Sequence, residues 1–327
     1  MNEFRHFTHQ DNWPDRITRH NLIDLDCPRD PLDGIPLGNG RLGALLWCDD
    51  FRLYCVLNRN DLWTETPDRV FHNWQIEEEE RSPTLRHGGR IVVDFGLPVF
   101  DTVYLTGCRI ELDLSVAEVR GRVESVFGIV EWSALVAEDT DFLRLRWRTE
   151  FTESARQSIA VTRYGSRSFG RWYSQWRHEP GAGLADTRTT AWRDGIAVGD
   201  TAAGGRFALA VTCFDGAGKP LPGRRHHRFG GEFTAAASGQ RELAALLSAP
   251  NEAEGSDLKR RLAAERRVTY DERLRGNRES WRSFWQRSHL SSSDPYLDQL
   301  WHLHMYYANA AQRGAVPGRF IGGLWSW

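Results

Sequence analysis

The sequence predicts a mainly β protein, in which a large antiparallel β-sandwich is followed by helices. Between residues 90 and 247, short runs of alternating apolar and polar residues are separated by glycine, aspartate or serine at intervals of about ten residues. Beyond a polar linker at residues 251–255, apolar residues recur every three or four positions, which is the helical period. At 327 residues the chain is long enough to bury a large core.

The strand prediction depends on alternation with a period of two residues. Residues 109–116 alternate Arg, Glu, Asp and Ser with Ile, Leu, Leu and Val. Residues 143–147 and 207–213 repeat the pattern, so each run is expected to have one apolar and one polar face. Successive strands without intervening helices favour an antiparallel sandwich or barrel over β-α-β units.

One segment, residues 35–67, contains the densest turn signals. Gly38, Gly40 and Gly43 allow positive φ angles around a bend. Their spacing is also G-x-G-x-x-G, which in a dinucleotide-binding protein follows a strand and opens a helix. Pro36 interrupts the segment before the glycines, and a hairpin pattern follows them, so the sequence disfavours a nucleotide site.

The phosphate-binding loops of kinases and ATPases are excluded by the lysines. A kinase-type glycine loop needs a lysine on a nearby strand, and the chain contains only Lys219 and Lys259. A Walker A loop needs Ser or Thr after its lysine, and Pro220 follows Lys219.

A hairpin is predicted directly after the glycines. Two apolar, β-prone runs occupy residues 44–48 and 51–57, and the Asp49-Asp50 pair between them is a turn signal. Residues 58–63 then predict a polar loop that carries a tryptophan.

These residues resemble a known family. PLGNGRLGALL at residues 36–46, followed by LNRNDLW at 57–63, looks like the opening signature of the amino-terminal domain of glycoside hydrolase family 95. Two departures indicate a divergent branch: Arg59-Asn60 replaces the first members of the usual acidic pair, and Thr64-Glu65 replaces Ser-Gly. The resemblance therefore implies a relationship to α-L-fucosidases, and we do not assign a fucose-type substrate to this chain from it.

Two further segments extend the resemblance. Tyr104 with the strand at residues 109–114 is similar to a family strand motif, and PGRFIGGLWSW at residues 317–327 is similar to the first hairpin of the family's (α/α) barrel. The resemblance implies a supersandwich domain at 1–250, a helical linker at 251–292 and the start of an (α/α) barrel at 293–327. The rest of that barrel is expected beyond Trp327.

Glycoside hydrolysis generally needs two positioned carboxylates, one acid and one base or nucleophile. The chain has 44 acidic residues, and no spacing singles out a pair. In the resembled family the catalytic groups lie in the barrel, so we name no catalytic residue. We expect the 327-residue chain to be inactive alone.

The helical region has clear boundary signals. Gly276 predicts an interruption or bend, and Asp294 with Pro295 predicts the start of a final helix. Gly314 and Pro317 are expected to end that helix. One face of it carries Leu297, Leu300, Trp301, His304, Ala308 and Ala311. His302 and His304 point in different directions, so a core histidine is favoured over a shared metal ion.

Fourteen tryptophans are about three times the usual number for this length. Aromatic rings stack on sugar rings while polar groups bind the hydroxyls, although most tryptophans are expected in the core. We predict sugar contacts in three places: the loops at and after the glycine turn, an aromatic segment at residues 164–178, and the C-terminal residues. The candidates are Asn39, Arg41, Asn58, Trp63, Trp172, Trp176, Trp325 and Trp327.

Composition limits the other classes of partner. The net charge of −2 does not favour nucleic acid or an anionic membrane, and no run of residues is long and apolar enough to span a bilayer. Five scattered cysteines suit reduced, buried thiols, and no zinc-binding spacing occurs, so no cofactor or metal is predicted. The first residues lack a signal peptide, which predicts a cytoplasmic protein.

Three hypotheses remain open from the sequence. The first is the amino-terminal portion of a glycoside hydrolase, with carbohydrate as substrate and the missing barrel as intramolecular partner. The second is a free-standing carbohydrate-binding protein, and the third is a structural β protein without a ligand.

Overall fold

A computed structural model describes residues 13–65, 83–85, 87–163, 187–200, 207–249, 252, 255–313, 316 and 324–325. Its helices are α1 (Trp13–Thr18), α2 (Gly255–Glu265), α3 (Tyr270–Trp285) and α4 (Pro295–Ala311), with a short 3-10 helix at Pro31–Asp33. Its strands are β1 (Leu22–Asp24), β2 (Ile35–Gly38), β3 (Leu42–Cys48), β4 (Arg52–Arg59), β5 (Trp63–Glu65), β6 (Pro83–Leu85), β7 (Gly89–Asp94), β8 (Leu105–Asp113), β9 (Glu118–Ser125), β10 (Gly128–Val136), β11 (Phe142–Phe151), β12 (Gln157–Thr162), β13 (Thr187–Trp192), β14 (Gly195–Asp200), β15 (Phe207–Asp215), β16 (Arg224–His227), β17 (Gly230–Ala235) and β18 (Gly239–Leu247).

Two large antiparallel sheets form the body of the protein, and the predicted fold class is confirmed. The first sheet has nine strands in the order β1-β8-β9-β10-β11-β18-β15-β14-β13, and the second has seven in the order β16-β17-β12-β7-β4-β3-β2. Strands β5 and β6 form a separate pair. The main hydrophobic core draws residues from both sheets, as expected for a sandwich.

The period-two patterns form strands as predicted. In β8, Ile110 and Leu112 are buried, whereas Arg109 is exposed. Strand β15 differs, since nearly all of its residues are buried. Its second face is covered because Leu258 and Leu262 of α2 pack against its alanines. Helix α2 therefore protects the outer face of the nine-stranded sheet.

The predicted hairpin is confirmed, whereas the loop predicted at residues 58–63 is shorter and spans residues 60–62 between β4 and β5. Strands β3 and β4 pair from Leu42 with Arg59 to Cys48 with Leu53. Asn58 and Arg59 thus belong to β4, and both are buried. Polar residues occupy this strand end because other parts of the chain supply their hydrogen bonds, as described below.

Helices α2 and α3 are separated before residue 270, and the predicted interruption at Gly276 is wrong. Thr269 and Glu272 form a capping box that begins α3, with each side chain bonded to the other's backbone amide. Gly276 lies inside α3, and a Cβ atom there would meet nothing within 4 Å. The cap, which sequence reasoning missed, sets the boundary.

Helix α4 begins as predicted, with Asp294 as its N-cap and Pro295 in its first turn. The side chains that it buries are Asp298, His302, Tyr306 and Ala310, spaced by four residues. The apolar face noted in the sequence lies on the other side, where Leu297, Leu300 and Trp301 are exposed. His302 is a buried core histidine, as predicted, and His304 is exposed.

Candidate functional site

The turn after β2 contacts the carboxyl end of α4. Gly40 has φ +82° in this turn, and its amide donates a hydrogen bond to the Ala310 carbonyl at 2.7 Å. The amide of Arg313 donates in return to the Gly40 carbonyl at 3.3 Å. The turn therefore satisfies a carbonyl that the end of the helix leaves without an intrahelical partner.

The other two glycines leave room for C-terminal residues. A Cβ atom on Gly38 would lie 2.4 Å from the Ala310 carbonyl oxygen, and one on Gly43 would lie 2.4 Å from the Cβ atom of Leu324. Neither has a positive φ angle, so the positive φ predicted from the sequence for all three glycines is confirmed only for Gly40. The G-x-G-x-x-G spacing reflects close approach of the end of α4 and of Leu324, and strand β3 follows the glycines where a dinucleotide-binding motif would open a helix.

Among the described residues, side chains and not another strand bond to the outer edge of β2. Tyr306 donates its hydroxyl to the Pro36 carbonyl at 2.8 Å, and Trp325 donates its indole N–H to the Leu37 carbonyl at 2.8 Å. Proline suits an edge strand because it has no amide to present to a neighbour. We call Pro36, Leu37, Gly38, Gly40, Gly43 and Asn60 the α4 seat.

Asn60 completes the α4 seat through its side-chain amide. Its Nδ2 atom donates to the carbonyls of Gly40 and Ala311, both at 2.9 Å. One side chain at the end of β4 therefore binds both the glycine turn and the last turn of the helix. Asn58, two residues earlier, accepts a hydrogen bond from the Gly88 amide at 3.3 Å.

Asn39 connects the glycine turn to the loop between β10 and β11. Its Oδ1 accepts the amides of Arg41 and Leu42 at 3.0 and 2.9 Å, and its Nδ2 donates to the carbonyls of Ala137 and Thr140, both at 2.8 Å. These four bonds use the whole hydrogen-bonding capacity of the amide. With the side chain also buried, Asn39 has a structural role in this geometry.

A buried arginine links β4 to the same loop. Arg59 binds Asp61 through two nitrogens, each at 2.7 Å, and it contacts Asp141 at 2.7 Å and the Leu247 carbonyl at 3.1 Å. Burial alone would lower the pKa of Arg59, but the hydrogen bond with Asp61 and the charge of Asp141 raise it above its ordinary value. Asp141 also pairs with Arg41 at 3.2 Å.

Residues 137–141 carry three carboxylates that reach three parts of the chain. Glu138 pairs with Arg313, just beyond α4, and Asp139 pairs with Arg273 of α3 at 3.0 Å. The third carboxylate makes the arginine pairs described above. This loop therefore connects the glycine turn, α3 and the end of α4.

Helix α3 is bonded to the same region by buried polar groups. The Glu138 amide donates to Asn277 Oδ1 at 3.0 Å, and Asn277 Nδ2 donates to the Val136 carbonyl at 3.0 Å. Trp281 donates its indole N–H to Glu138 Oε1 at 2.5 Å, and Trp285 donates to the Leu114 carbonyl at 2.8 Å. Buried amide and indole groups of this kind require partners, and here the sandwich provides them.

The structure brings together four of the eight predicted sugar contacts: Asn39, Arg41, Asn58 and Trp325 lie around the α4 seat. Of these, Arg41 is the most exposed, with 50% of its side chain accessible. Trp325 packs on the cluster of Leu45, Trp47 and Val56, on the far side of β3 and β4 from the main core. Trp63 begins β5, but its side chain lies outside the described part of the structure, as do Trp172, Trp176 and Trp327.

Most tryptophan side chains in the described residues belong to the core, as expected. Those of Trp47, Trp132, Trp147, Trp281 and Trp285 are buried. For the described tryptophans, packing therefore accounts for most of them, and their number is weak support for sugar binding.

Sequence reasoning missed several residues of this region: Tyr306, Glu138, Asn277 and Arg313. Their partners are remote, since Tyr306 and Pro36 are 270 positions apart and Asn60 and Ala311 are 251 apart. A pattern of apolar spacing contains no signal for such pairs.

Three histidine rings meet beside α4. The rings of His20 and His302 stack with centroids 4.0 Å apart, and His289 lies edge-on at 5.2 Å from His302. Burial, followed by the charge of His302, lowers the pKa of His20 to about 4 and that of His289 to about 4. Burial also lowers the pKa of His302, against the opposing influence of Asp298.

These histidines predict a loss of stability in acid. The unfolded chain takes up protons near pH 6.5, whereas the folded cluster resists them down to about pH 4, so stability falls as the pH drops through that window. We expect a loss of about 1–2 kcal/mol between pH 7 and pH 5, after allowance for solvent screening. Urea unfolding at each pH measures it.

A double variant tests the assignment. In His20→Gln with His289→Gln, the free energy of unfolding should fall much less between pH 7 and pH 5. In His304→Gln, at an exposed position on α4, it should fall as in the wild type. An unchanged loss of stability in acid in the double variant would contradict the assignment to this cluster.

A groove of about 700 Å³ lies on the nine-stranded sheet, and none of the four candidates whose side chains the structure describes lines it. Its five arginines, Arg109, Arg120, Arg122, Arg146 and Arg148, are all paired with carboxylates. Among the described residues no group of three or more His, Cys, Asp or Glu is placed to hold a metal ion. No described helix is long and apolar enough to cross a membrane.

Comparison with solved structures shows a shared architecture. The chain is similar to a protein assigned as a kojibiose phosphorylase from the human microbiome, with a TM-score of 0.59 and 10% identity, over 95% of this chain and 43% of that one. A bacterial glucoamylase in complex with acarbose matches with a TM-score of 0.46 and 7% identity, over 95% of this chain and 43% of that one. No protein-family model and no curated protein matches the sequence.

The first of these similarities places the sandwich and its following helices in one known architecture. The chain spans less than half the length of either structure. At 10% identity the likeness defines the fold alone.

Proposed function

We propose that this chain is the amino-terminal portion of a glycoside hydrolase of the family 95 type, related to α-L-fucosidases and acting on O-glycosidic bonds of oligosaccharides. In this proposal residues 1–250 are the sandwich domain, 251–292 the helical linker and 293–327 the start of an (α/α) barrel. The catalytic carboxylates belong to the barrel, and the 327-residue chain is inactive alone.

The contact between the signature residues and α4 is the observation that carries the proposal. PLGNGRLGALL supplies the glycine turn and the edge of β2, and the strand end at residues 58–61 supplies Asn60. Both bind the helix that the resemblance assigns to the barrel. In this proposal the signature is the surface on which the sandwich domain holds the first barrel helix, and the contacts with α4 support it.

The exposed face of α4 supports a helical partner. Tyr296, Leu297, Leu300 and Trp301 are 69%, 52%, 38% and 43% exposed. Their spacing makes one apolar stripe along the helix, the pattern of a helix that packs against other helices. The similar phosphorylase, named for a sugar substrate, favours carbohydrate as the ligand of the whole protein.

The stripe also predicts that the isolated chain self-associates, because exposed apolar patches drive association. We expect an apparent mass that rises with concentration in size-exclusion chromatography with light scattering. Leu300→Glu with Trp301→Glu should give a monomer of unchanged thermal stability, and Gln299→Glu, at an exposed polar position on the same helix, is the control. A monodisperse wild-type monomer at all concentrations would count against the stripe as a packing surface.

The activity test compares the 327-residue chain with the full-length product of its gene. Both are incubated with α-fucosylated and α-glucosylated oligosaccharides, with and without inorganic phosphate, and released sugar is measured. We expect release by the full-length product, without a phosphate requirement, and none by the 327-residue chain. Release that requires phosphate would replace hydrolysis with phosphorolysis. Release by the 327-residue chain, or by neither protein, would overturn the proposal.

We propose that Arg41 of the sandwich reaches the sugar cleft, together with Trp63, Trp172 and Trp176 of the same domain and Trp327 of the barrel start. Its guanidinium is half exposed beside the α4 seat, whereas the polar groups of Asn39 are fully used. Arg41→Met should raise KM in the full-length product with a smaller effect on kcat, since substrate binding is lost without removing a reacting group.

A further inference from the structure

Three of the five cysteines meet where the chain passes from one sheet to the other. Cys27 follows β1, Cys108 lies in β8 and Cys48 ends β3. The sulfur atoms of Cys27 and Cys108 are 3.4 Å apart, and Cys48 lies close enough to Cys27 to influence its pKa. Cys55 and Cys213 are buried, and the described residues show no sulfur contact for either.

The strand register explains why Cys27 and Cys108 are neighbours. Strand β1 pairs with β8 so that Asp24 lies opposite Ile110. Extending this antiparallel register by two residues places Asp26 opposite Cys108, and Cys27 is the next residue. Cys27 then precedes Pro28, whose carbonyl accepts the Cys48 amide of the seven-stranded sheet at 2.7 Å. The two thiols therefore approach each other at a crossing that the backbone holds in place.

We propose that Cys27 and Cys108 are a redox-active pair that closes to a disulfide in exchange with small disulfides such as oxidised glutathione. Cys108 is the more exposed of the two and is therefore the first nucleophile. Its thiolate attacks one glutathione sulfur and releases one glutathione thiolate. Cys27 then attacks the Cys108 sulfur of the mixed disulfide and releases the second, so two protein thiols are oxidised and one glutathione disulfide is reduced to two thiols.

The environment sets the conditions for this reaction. The pKa of the Cys108 thiol is raised by its hydrogen bond with Cys27 and by burial. The reactive thiolate is therefore scarce at neutral pH. Its fraction rises about tenfold per pH unit below the pKa, so disulfide formation should be roughly 100-fold faster at about pH 9 than at about pH 7.

Closure would cross-link positions 81 residues apart. A loop of that length restricts the unfolded chain strongly, so the oxidised protein should melt about 5 °C above the reduced protein. The bond would connect the segment before the 3-10 helix to β8, and it does not depend on the proposed function.

The sequence makes the pairing directly readable. Trypsin places the five cysteines on five separate peptides, at residues 20–29, 42–52, 53–59, 91–109 and 207–224. The intact chain is equilibrated with oxidised glutathione at about pH 9, blocked with N-ethylmaleimide under denaturing conditions, digested and analysed by mass spectrometry. We expect one cross-linked species that joins peptides 20–29 and 91–109 and disappears on reduction.

Cys108→Ser and Cys27→Ser should each abolish the cross-link and the rise in melting temperature while leaving the melting temperature of the reduced chain nearly unchanged. Cys48→Ala should keep the 20–29 to 91–109 cross-link. Complete maleimide labelling of all five cysteines, a stable glutathione adduct on Cys108, or a link from 20–29 to 42–52 would each overturn the proposal.

Discussion

Replacement of Arg144 by methionine is expected to lower the free energy of unfolding by about 3–5 kcal/mol, because it removes one partner of a buried ion pair. Arg144 is fully buried in β11 and donates to Glu265 Oε1 at 2.8 Å and to the Val268 carbonyl at 2.9 Å. It also pairs with Glu242. The guanidinium thus joins the nine-stranded sheet to the carboxyl end of α2. Methionine would leave the Val268 carbonyl and the carboxylates of Glu242 and Glu265 with fewer partners.

The matched control lies four residues away on the same strand. Arg148 also forms an ion pair, with Glu150, but 60% of its side chain is exposed. Arg148→Met should cost less than about 1 kcal/mol, as is usual for surface pairs. Urea denaturation of both variants measures the difference. Equal effects of the two substitutions would show that burial of the Arg144 pair does not connect α2 to the sheet.

Gly40→Ala is expected to cost about 2–5 kcal/mol. A non-glycine residue at φ +82° carries about 1–2 kcal/mol of strain, and the added methyl would lie 2.4 Å from both the Cβ atom and the amide nitrogen of Arg313. The end of α4 must therefore move away from the glycine turn, which adds a packing cost of about 1–3 kcal/mol.

Gly218→Ala isolates the strain from the contact. Gly218 has φ +77°, and a Cβ atom there would meet nothing within 4 Å, so only the strain of about 1–2 kcal/mol applies. The excess cost of Gly40→Ala in thermal or urea unfolding reports the contact with α4. An excess below about 0.5 kcal/mol would mean that α4 is not held at this turn.

The sandwich could be predicted because its strands carry their own signal. Alternation in residues 109–116, 143–147 and 207–213 follows from one face of each strand meeting the core, and turn residues mark the ends. The same reasoning fails at residues 58–60, because polar residues predict an exposed loop and Asn58, Arg59 and Asn60 are buried. Their burial is balanced by partners such as Leu247 and Ala311, which are far away in the sequence.

Helix α4 shows a different limit. Its apolar face could be read from the sequence, but the face that packs on the sandwich carries Asp298, His302, Tyr306 and Ala310. Two of these polar groups bind backbone atoms: Tyr306 donates to the Pro36 carbonyl of β2, and a ring nitrogen of His302 bonds with the Asp298 carbonyl of the same helix. Hydrophobic periodicity alone predicts the opposite orientation.

The α4 seat could be predicted only in part. The motif identified Asn39 and Arg41 as special, and Gly40 as a bend, but it gave no reason to join them to residues near 310. The glycine pattern predicts special backbone conformations at Gly38 and Gly43, whereas in the structure these residues let another segment approach. That distinction depends on what packs opposite each glycine, which a single sequence does not reveal.

Hydrogen–deuterium exchange of the wild-type chain and of Gly40→Ala tests most directly whether the glycine turn holds the last helix. If it does, the amides of residues 306–312 in the wild type are protected nearly as well as those of β3 and β4. Protection of these helix amides should fall selectively in Gly40→Ala and persist in Gly218→Ala. Rapid exchange of residues 306–312 in the wild type, with the strands still protected, would contradict the account.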